Sequence, residues 1–212
     1  MFEVEYNGAN SVTLSTKSAK IITDPKISVA GLKDKAIKEN VQLATEARFM
    51  VEAPDARISI EGPGEFGVAD FDIRGIAAQR HLDTESDPKA TTMYRIETPE
   101  VRVALLGNVY EKLNDEQIEE LGVIDILIIP VGGGGYTLDA TAAAGLTRKI
   151  DPKVVIPVHY AESGVKYEVP QDGIDAFVKE LGVPTEDGGA KYKLKSASAL
   201  PQTLTVVTLT RG

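Results

Sequence analysis

Two apolar runs in the second half of the chain, Ile124-Asp-Ile-Leu-Ile-Ile-Pro-Val131 and Val154-Val-Ile-Pro-Val-His159-Tyr160, most narrow the folds open to it. Neither is long enough to cross a membrane, and each reads as a buried strand, the first interrupted only by Asp125. The segments around them have helical character. Asn114 is positioned to cap a helix, with Gln117 three places on, acidic Asp115, Glu116, Glu119 and Glu120 near the positive end of the helix dipole, and Gly122 as a stop. A helix is expected over Ala140–Ile150, and another over Ile174–Leu181, where Ile174, Phe177, Val178 and Leu181 recur at helical spacing before Gly182. Thr203–Thr210 alternates like a closing strand. From residue 107 the chain therefore predicts crossover units and a sheet with helices packed outside it.

The first half reads differently. Phe2–Tyr6, Ser11–Ser15 and Ile21–Thr23 are short strands separated by Asn7-Gly8 and Lys17-Ser18, which predicts a hairpin-rich sheet with one wet face. Strand signals recur at Val41–Thr45, Arg57–Ile60, Phe71–Ile76, Thr92–Glu97 and Arg102–Leu106, divided by turns such as Glu61-Gly-Pro-Gly64. With 212 residues, 42% of them hydrophobic, the chain can bury a full core, and residues 1–212 are read as one domain.

Charge and composition exclude some functions. A net charge of -9 at pH 7 disfavours the phosphate-neutralising surface of a nucleic-acid binder. The start, Met1-Phe-Glu-Val-Glu-Tyr6, has no basic segment leading into an apolar run, and no uncharged stretch approaches the ~20 residues of a membrane helix. The expectation is a cytoplasmic protein with no nucleic-acid or membrane partner. With 0 cysteines and 2 histidines, His81 and His159, the chain lacks the donors for a nitrogen-rich dinuclear metal centre.

Four segments together carry a resemblance: Ala19-Lys-Ile-Ile-Thr-Asp24-Pro25, Ile60-Glu-Gly-Pro-Gly-Glu65-Phe66, the run from Ile124 through Gly132-Gly-Gly-Gly135 to Asp139-Ala140, and Lys153-Val-Val-Ile-Pro-Val-His159-Tyr160. In this order they resemble the metallo-β-lactamase superfamily, in its branch of small bacterial zinc-dependent hydrolases similar to ascorbate-6-phosphate lactonase. The resemblance implies an α+β fold, a four-layer αββα sandwich with its active site along one edge. It also implies that His159 matches the last metal-binding histidine.

The chain departs from that pattern in two places. Where the family has His-x-His-x-Asp-His after an early strand, this chain reads Val41-Gln-Leu-Ala-Thr-Glu-Ala-Arg-Phe-Met50, with no histidine. Where the family has Gly-Asp with a metal-bridging aspartate, it has Gly107-Asn108, and a neutral carboxamide bridges two cations poorly. Gly107-Asn108 also reads simply as a turn ending a strand.

His159 and His81 remain the catalytic candidates, and His159, His81, Asn108 and Asp24 the residual metal candidates. His159 has a second reading as a hydrogen-bonding residue at a strand end, and His81 as a loop histidine beside the acidic run 83–87. Asp24 before Pro25 fits a turn or support for a metal loop. Gly132, Gly133, Gly134, Gly135 and Asp139 are expected to wall the cleft, with Asp139 or Thr137 also a sound helix cap.

Three functions follow from this reading. The leading one is a protein of this fold that has lost its zinc centre and binds a small molecule or a protein, with no cofactor. The second is a hydrolase of phosphoesters or lactones with a reduced zinc or manganese site built on His159, His81 and Asp24 or Asp83. The third is a metal-free binder of small anions at the glycine loop. Assembly into a homo-oligomer is left open by all three.

Overall fold

A computed structural model of the chain describes residues 1–81 and 90–212. Asp83, named above as a metal donor, lies outside the described residues.

The first strands are β1 (Phe2–Gly8), β2 (Ser11–Ser15), β3 (Lys20–Thr23), β4 (Val41–Ala44) and β5 (Ile58–Glu61). They form a six-stranded sheet in the order β13-β1-β2-β3-β4-β5, with β13 (Tyr192–Leu194) closing one edge. Eight strands make the second sheet: β6 (Gly64–Val68), β7 (Phe71–Gln79), β8 (Ala90–Glu97), β9 (Arg102–Leu105), β10 (Ile126–Pro130), β11 (Val154–Val158), β12 (Thr185–Asp187) and β14 (Thr205–Thr208). Their order is β12-β14-β11-β10-β9-β8-β7-β6. This is the expected two-sheet α+β sandwich.

The predicted crossover half is present. Strands β9, β10, β11 and β14 pair in parallel, and Ile126, Leu127, Ile128 and Ile129 of β10 are wholly buried. Among the described residues three α-helices serve this sheet: α1 (Asp115–Leu121), α2 (Ala140–Ile150) and α3 (Ile174–Leu181). Helix α1 packs on β7, while α2 packs on β10 and on α3. The Asn114 cap is a full capping box, in which its side chain accepts from the Gln117 N–H at 2.8 Å and Gln117 Oε1 accepts from the Asn114 N–H at 3.0 Å.

The N-terminal sheet differs from expectation in two respects. Its first three strands are antiparallel, as read, but β3–β4 and β4–β5 are parallel. Parallel neighbours need a crossover, usually helical. Here the crossovers contain only 3-10 turns, Ile27–Ala30 and Ala47–Phe49, so among the described residues no α-helix lies in them. Nor does the sheet have a wet face across its middle, because β2 and β4 are buried throughout. The outward side is polar yet covered. Gln42 donates to the Val51 carbonyl at 3.2 Å and accepts from its N–H at 2.8 Å, tying the second crossover across β4.

Three short strands were not expected. The Gly-rich turn signal of Glu61–Gly64 runs straight into β6, which pairs antiparallel with β7. Strands β12 and β13 are edge strands of three residues each, too brief to show a pattern.

Candidate functional site

The ends of β4, β9 and β11 converge with the β1–β2 turn. His159 follows β11 with a left-handed backbone, φ 51°, and its N–H donates to the Ala9 carbonyl of that turn at 2.9 Å. Its ring is buried, stacked on Tyr136 with centroids 5.4 Å apart and tilted against Tyr167 at 4.5 Å. Nδ1 lies 3.2 Å from Gln171 Oε1. Burial pushes the imidazole down to about 4, so it is neutral at physiological pH.

Asp24 follows β3, also with positive φ. Its carboxyl takes one hydrogen bond on each oxygen from one neighbour, Oδ1 accepting from the Thr45 N–H at 2.7 Å and Oδ2 from the Thr45 hydroxyl at 2.8 Å. Burial pushes this carboxyl up to about 7 despite those two bonds.

Asn108 is wholly buried and is more than the turn residue it resembled. Its Oδ1 accepts from Asn10 Nδ2 at 2.9 Å, its Nδ2 donates to Glu46 Oε1 at 3.2 Å, and its carbonyl accepts the His81 N–H at 2.8 Å. Gly107 makes this possible. A Cβ there would meet Thr45 at 2.8 Å, and φ is 62°.

The segment that lacks histidine carries the group that was missed in the sequence. Glu46 and Arg48 leave β4 two residues apart, and Arg48 donates to Glu46 through Nε at 2.8 Å and Nη2 at 3.1 Å. Arg80 reaches the same carboxylate at 3.3 Å. Glu46, 7% exposed, therefore serves Arg48, Arg80 and Asn108 together. The sequence signal was an acid and a base spaced by one residue at the end of an apolar strand.

His81 stands at the end of the segment extending β7 and is half-buried, its ring 6.4 Å from Tyr110. Burial lowers its pKa. It does not line the cleft beside His159. That cleft, of about 130 Å³, is walled instead by residues such as Lys26, Arg48, Phe49, Tyr136 and Tyr167. The glycine loop is likewise not part of this lining. A Cβ on Gly132 would fall inside contact distance of the His159 carbonyl, and one on Gly134 inside that of the Pro170 carbonyl, so these glycines permit close packing. Gly133 N–H is taken by the Leu138 carbonyl at 3.0 Å. Asp139 caps α2 by accepting from the Ala142 N–H at 2.8 Å, placing a carboxylate where an anion would otherwise sit.

Among the described residues, no three His, Cys, Asp or Glu side chains cluster as a metal-holding group. No helix among them is long and apolar enough to cross a membrane.

Two sheets, parallel crossovers and a site at the ends of β4, β9 and β11 define a metallo-β-lactamase-type fold. The chain belongs to that superfamily: the profile of the beta-lactamase superfamily domain matches residues 3–159. A UPF0173 metal-dependent hydrolase of Natranaerobius thermophilus is 49% identical over 43 residues, which is 20% of this chain and 19% of that protein. The match thus spans about a fifth of the length of that curated relative. Among solved structures, a protein of Thermotoga maritima described as a Zn-dependent hydrolase of the metallo-beta-lactamase superfamily superposes with a TM-score of 0.77 at 23% identity, over 99% of each chain. A metal-dependent hydrolase described from Parabacteroides distasonis gives 0.64 at 19% identity, over 85% of this chain and 88% of that one. A metallo hydrolase of Ignicoccus hospitalis gives 0.60 at 17%, over 97% and 94%.

Proposed function

We propose that this chain is a binding module of the metallo-β-lactamase superfamily that does not use the family's metal chemistry. One observation carries the reading: the loop after β4, where the family resemblance expects metal-binding histidines, holds an internal ion-pair network centred on Glu46. A carboxylate already shared by two guanidinium groups and a carboxamide has little capacity left for a cation. Those guanidinium charges also repel one.

The remaining donors fit a metal no better. Asp24 already accepts two hydrogen bonds from Thr45 and is held by burial near 7, half of it protonated at neutral pH, and Asn108 is neutral with both carboxamide atoms engaged. The hydrolase reading draws on one opposing observation, the neutral His159 that a metal would require. Arg48 counts against it, because its positive charge is near enough to help depress the His159 pKa.

The deciding experiment measures zinc and manganese content and chelator response on untagged protein. The binding-module reading expects substoichiometric metal and a melting temperature that strong chelators leave in place. Stoichiometric metal, with a chelator-induced drop of several degrees restored by zinc, would establish the hydrolase reading instead.

A further inference from the structure

The cleft beside His159 has a chemistry of its own, distinct from a metal site. One wall is aromatic and uncharged: Tyr136 lies parallel to the His159 ring within 7°, and Tyr167 is tilted against that ring. Phe49 and Ile27 add apolar surface. Against this stand two cations. Arg48 gives two of its N–H bonds to Glu46 and lies over the Phe49 and Tyr136 rings at 4.7 Å and 5.3 Å. Lys26 is exposed and makes no ion pair among the described residues. A third feature is an acceptor without a donor. Asn10 is 3% exposed and lines the cleft, its Nδ2 is committed to Asn108, and its Oδ1 has no hydrogen-bond partner among the described residues.

We infer that this cleft binds a small monocarboxylate with a hydroxyl or amide N–H donor and an apolar, preferably aromatic, body. The carboxylate sits against Lys26 and Arg48, the donor satisfies Asn10 Oδ1, and the body lies against Tyr136, Tyr167 and Phe49. A buried acceptor left without a donor costs free energy that a ligand N–H or O–H would recover. Charge decides between monoanion and dianion. Glu168 also lines the cleft, as does Asp24, whose carboxyl titrates near 7, and Glu46 partly neutralises Arg48, so the field suits one negative charge better than the two of a phosphate monoester. The inference rests on the binding-module reading, since it gives the cleft to an organic anion rather than to a metal.

Ligand-observed NMR on the full chain tests it with four probes: mandelate, phenylacetate, methyl mandelate and phenyl phosphate. Mandelate has the charge, the donor and the ring, phenylacetate lacks the hydroxyl, methyl mandelate lacks the charge, and phenyl phosphate carries the second charge. Mandelate is expected to bind most tightly. Two exposed substitutions add opposite signs: Lys26→Gln should weaken mandelate by about fivefold and Glu168→Gln should tighten it by about twofold, the scale of partly screened charges. A merely structural role for either residue would not produce that reversal. Failure of mandelate to saturate at millimolar concentration, or equal binding of mandelate and its methyl ester, overturns the inference. Hydrolysis of methyl mandelate to bound mandelate would keep the cleft assignment and defeat the binding-module reading.

Discussion

Arg48 and Glu46 form a two-point ion pair inside a single loop, with Nε and Nη2 of the guanidinium meeting both carboxylate oxygens at 2.8 Å and 3.1 Å. The pair is lopsided in burial. The Arg48 side chain is 38% exposed and that of Glu46 only 5%, so the carboxylate depends on its partners far more than the guanidinium does.

That asymmetry predicts unequal mutational costs. Glu46→Gln leaves Arg48 and Asn108 to re-form their contacts with a neutral group and should cost about 2–3 kcal/mol, the range for hydrogen bonds to a buried charge. Arg48→Gln should cost about 1 kcal/mol, because Arg80 and Asn108 still serve Glu46. Urea unfolding at neutral pH measures both, and an order reversed between the two variants would show that the network does not centre on Glu46.

The glycine loop predicts a contrast between two Gly→Ala substitutions. At Gly132 a methyl group would collide with the His159 carbonyl and approach Gln171 Oε1 at 2.5 Å, whereas at Gly145 in α2 nothing lies within 4 Å. Gly132→Ala should therefore destabilise by about 1–3 kcal/mol through overpacking. Gly145→Ala should stabilise by about 0.5–1 kcal/mol through helix propensity. Thermal melts of the two variants check the opposite signs. A neutral Gly132→Ala would mean that the loop is not tightly seated on the segment from His159 to Gln171.

Much of the fold was legible because it is written locally. The capping box at Asn114, the buried runs of β10 and β11, and the three helices each depend on residues within a few positions of one another. His159 was legible by resemblance alone. The network around Glu46 was not, since Glu46 meets Arg80 across 34 positions and Asn108 across 62. Nor was the parallel pairing of β3, β4 and β5, whose crossovers carry no helical periodicity. Strand β12 is exposed at every residue and sits at a sheet edge, so no buried face imposes a pattern on it.

His159 has two structural duties, a left-handed backbone and a ring packed against Tyr136 and Tyr167. Substitutions separate them. Asparagine tolerates the left-handed region, so His159→Asn loses mainly the ring contacts and the Gln171 hydrogen bond. A β-branched side chain clashes there, and His159→Val should cost about 1–2 kcal/mol beyond the asparagine variant. Denaturant unfolding of the pair is the measurement, and equal stability of the two would remove the backbone argument.

Asp24 and His159 titrate in opposite senses across one pH window, and this yields a prediction that neither gives alone. Burial raises the Asp24 carboxyl from 3.8 to about 7. The folded protein keeps a proton that the unfolded chain releases, so this contribution to stability is complete below the unfolded value and is lost as pH rises through about 7. Burial lowers His159 from 6.5 to about 4. Here the unfolded chain takes a proton that the folded protein refuses, so the contribution is complete above 6.5 and is lost as pH falls through about 4. The swings are on the order of 4 kcal/mol for Asp24 and about 3 kcal/mol for His159, and between them they largely cancel. Breaking one should expose the other. Asp24→Asn can keep both Thr45 contacts, because the new amide donates to the hydroxyl, and its stability relative to the unmodified protein should rise with pH. That of His159→Asn should fall with pH over the same interval. Urea unfolding of all three proteins at about pH 4.5, 5.5 and 6.5 reads both slopes directly. Two flat differences, or two of the same sign, would show that these buried groups do not titrate as their surroundings dictate.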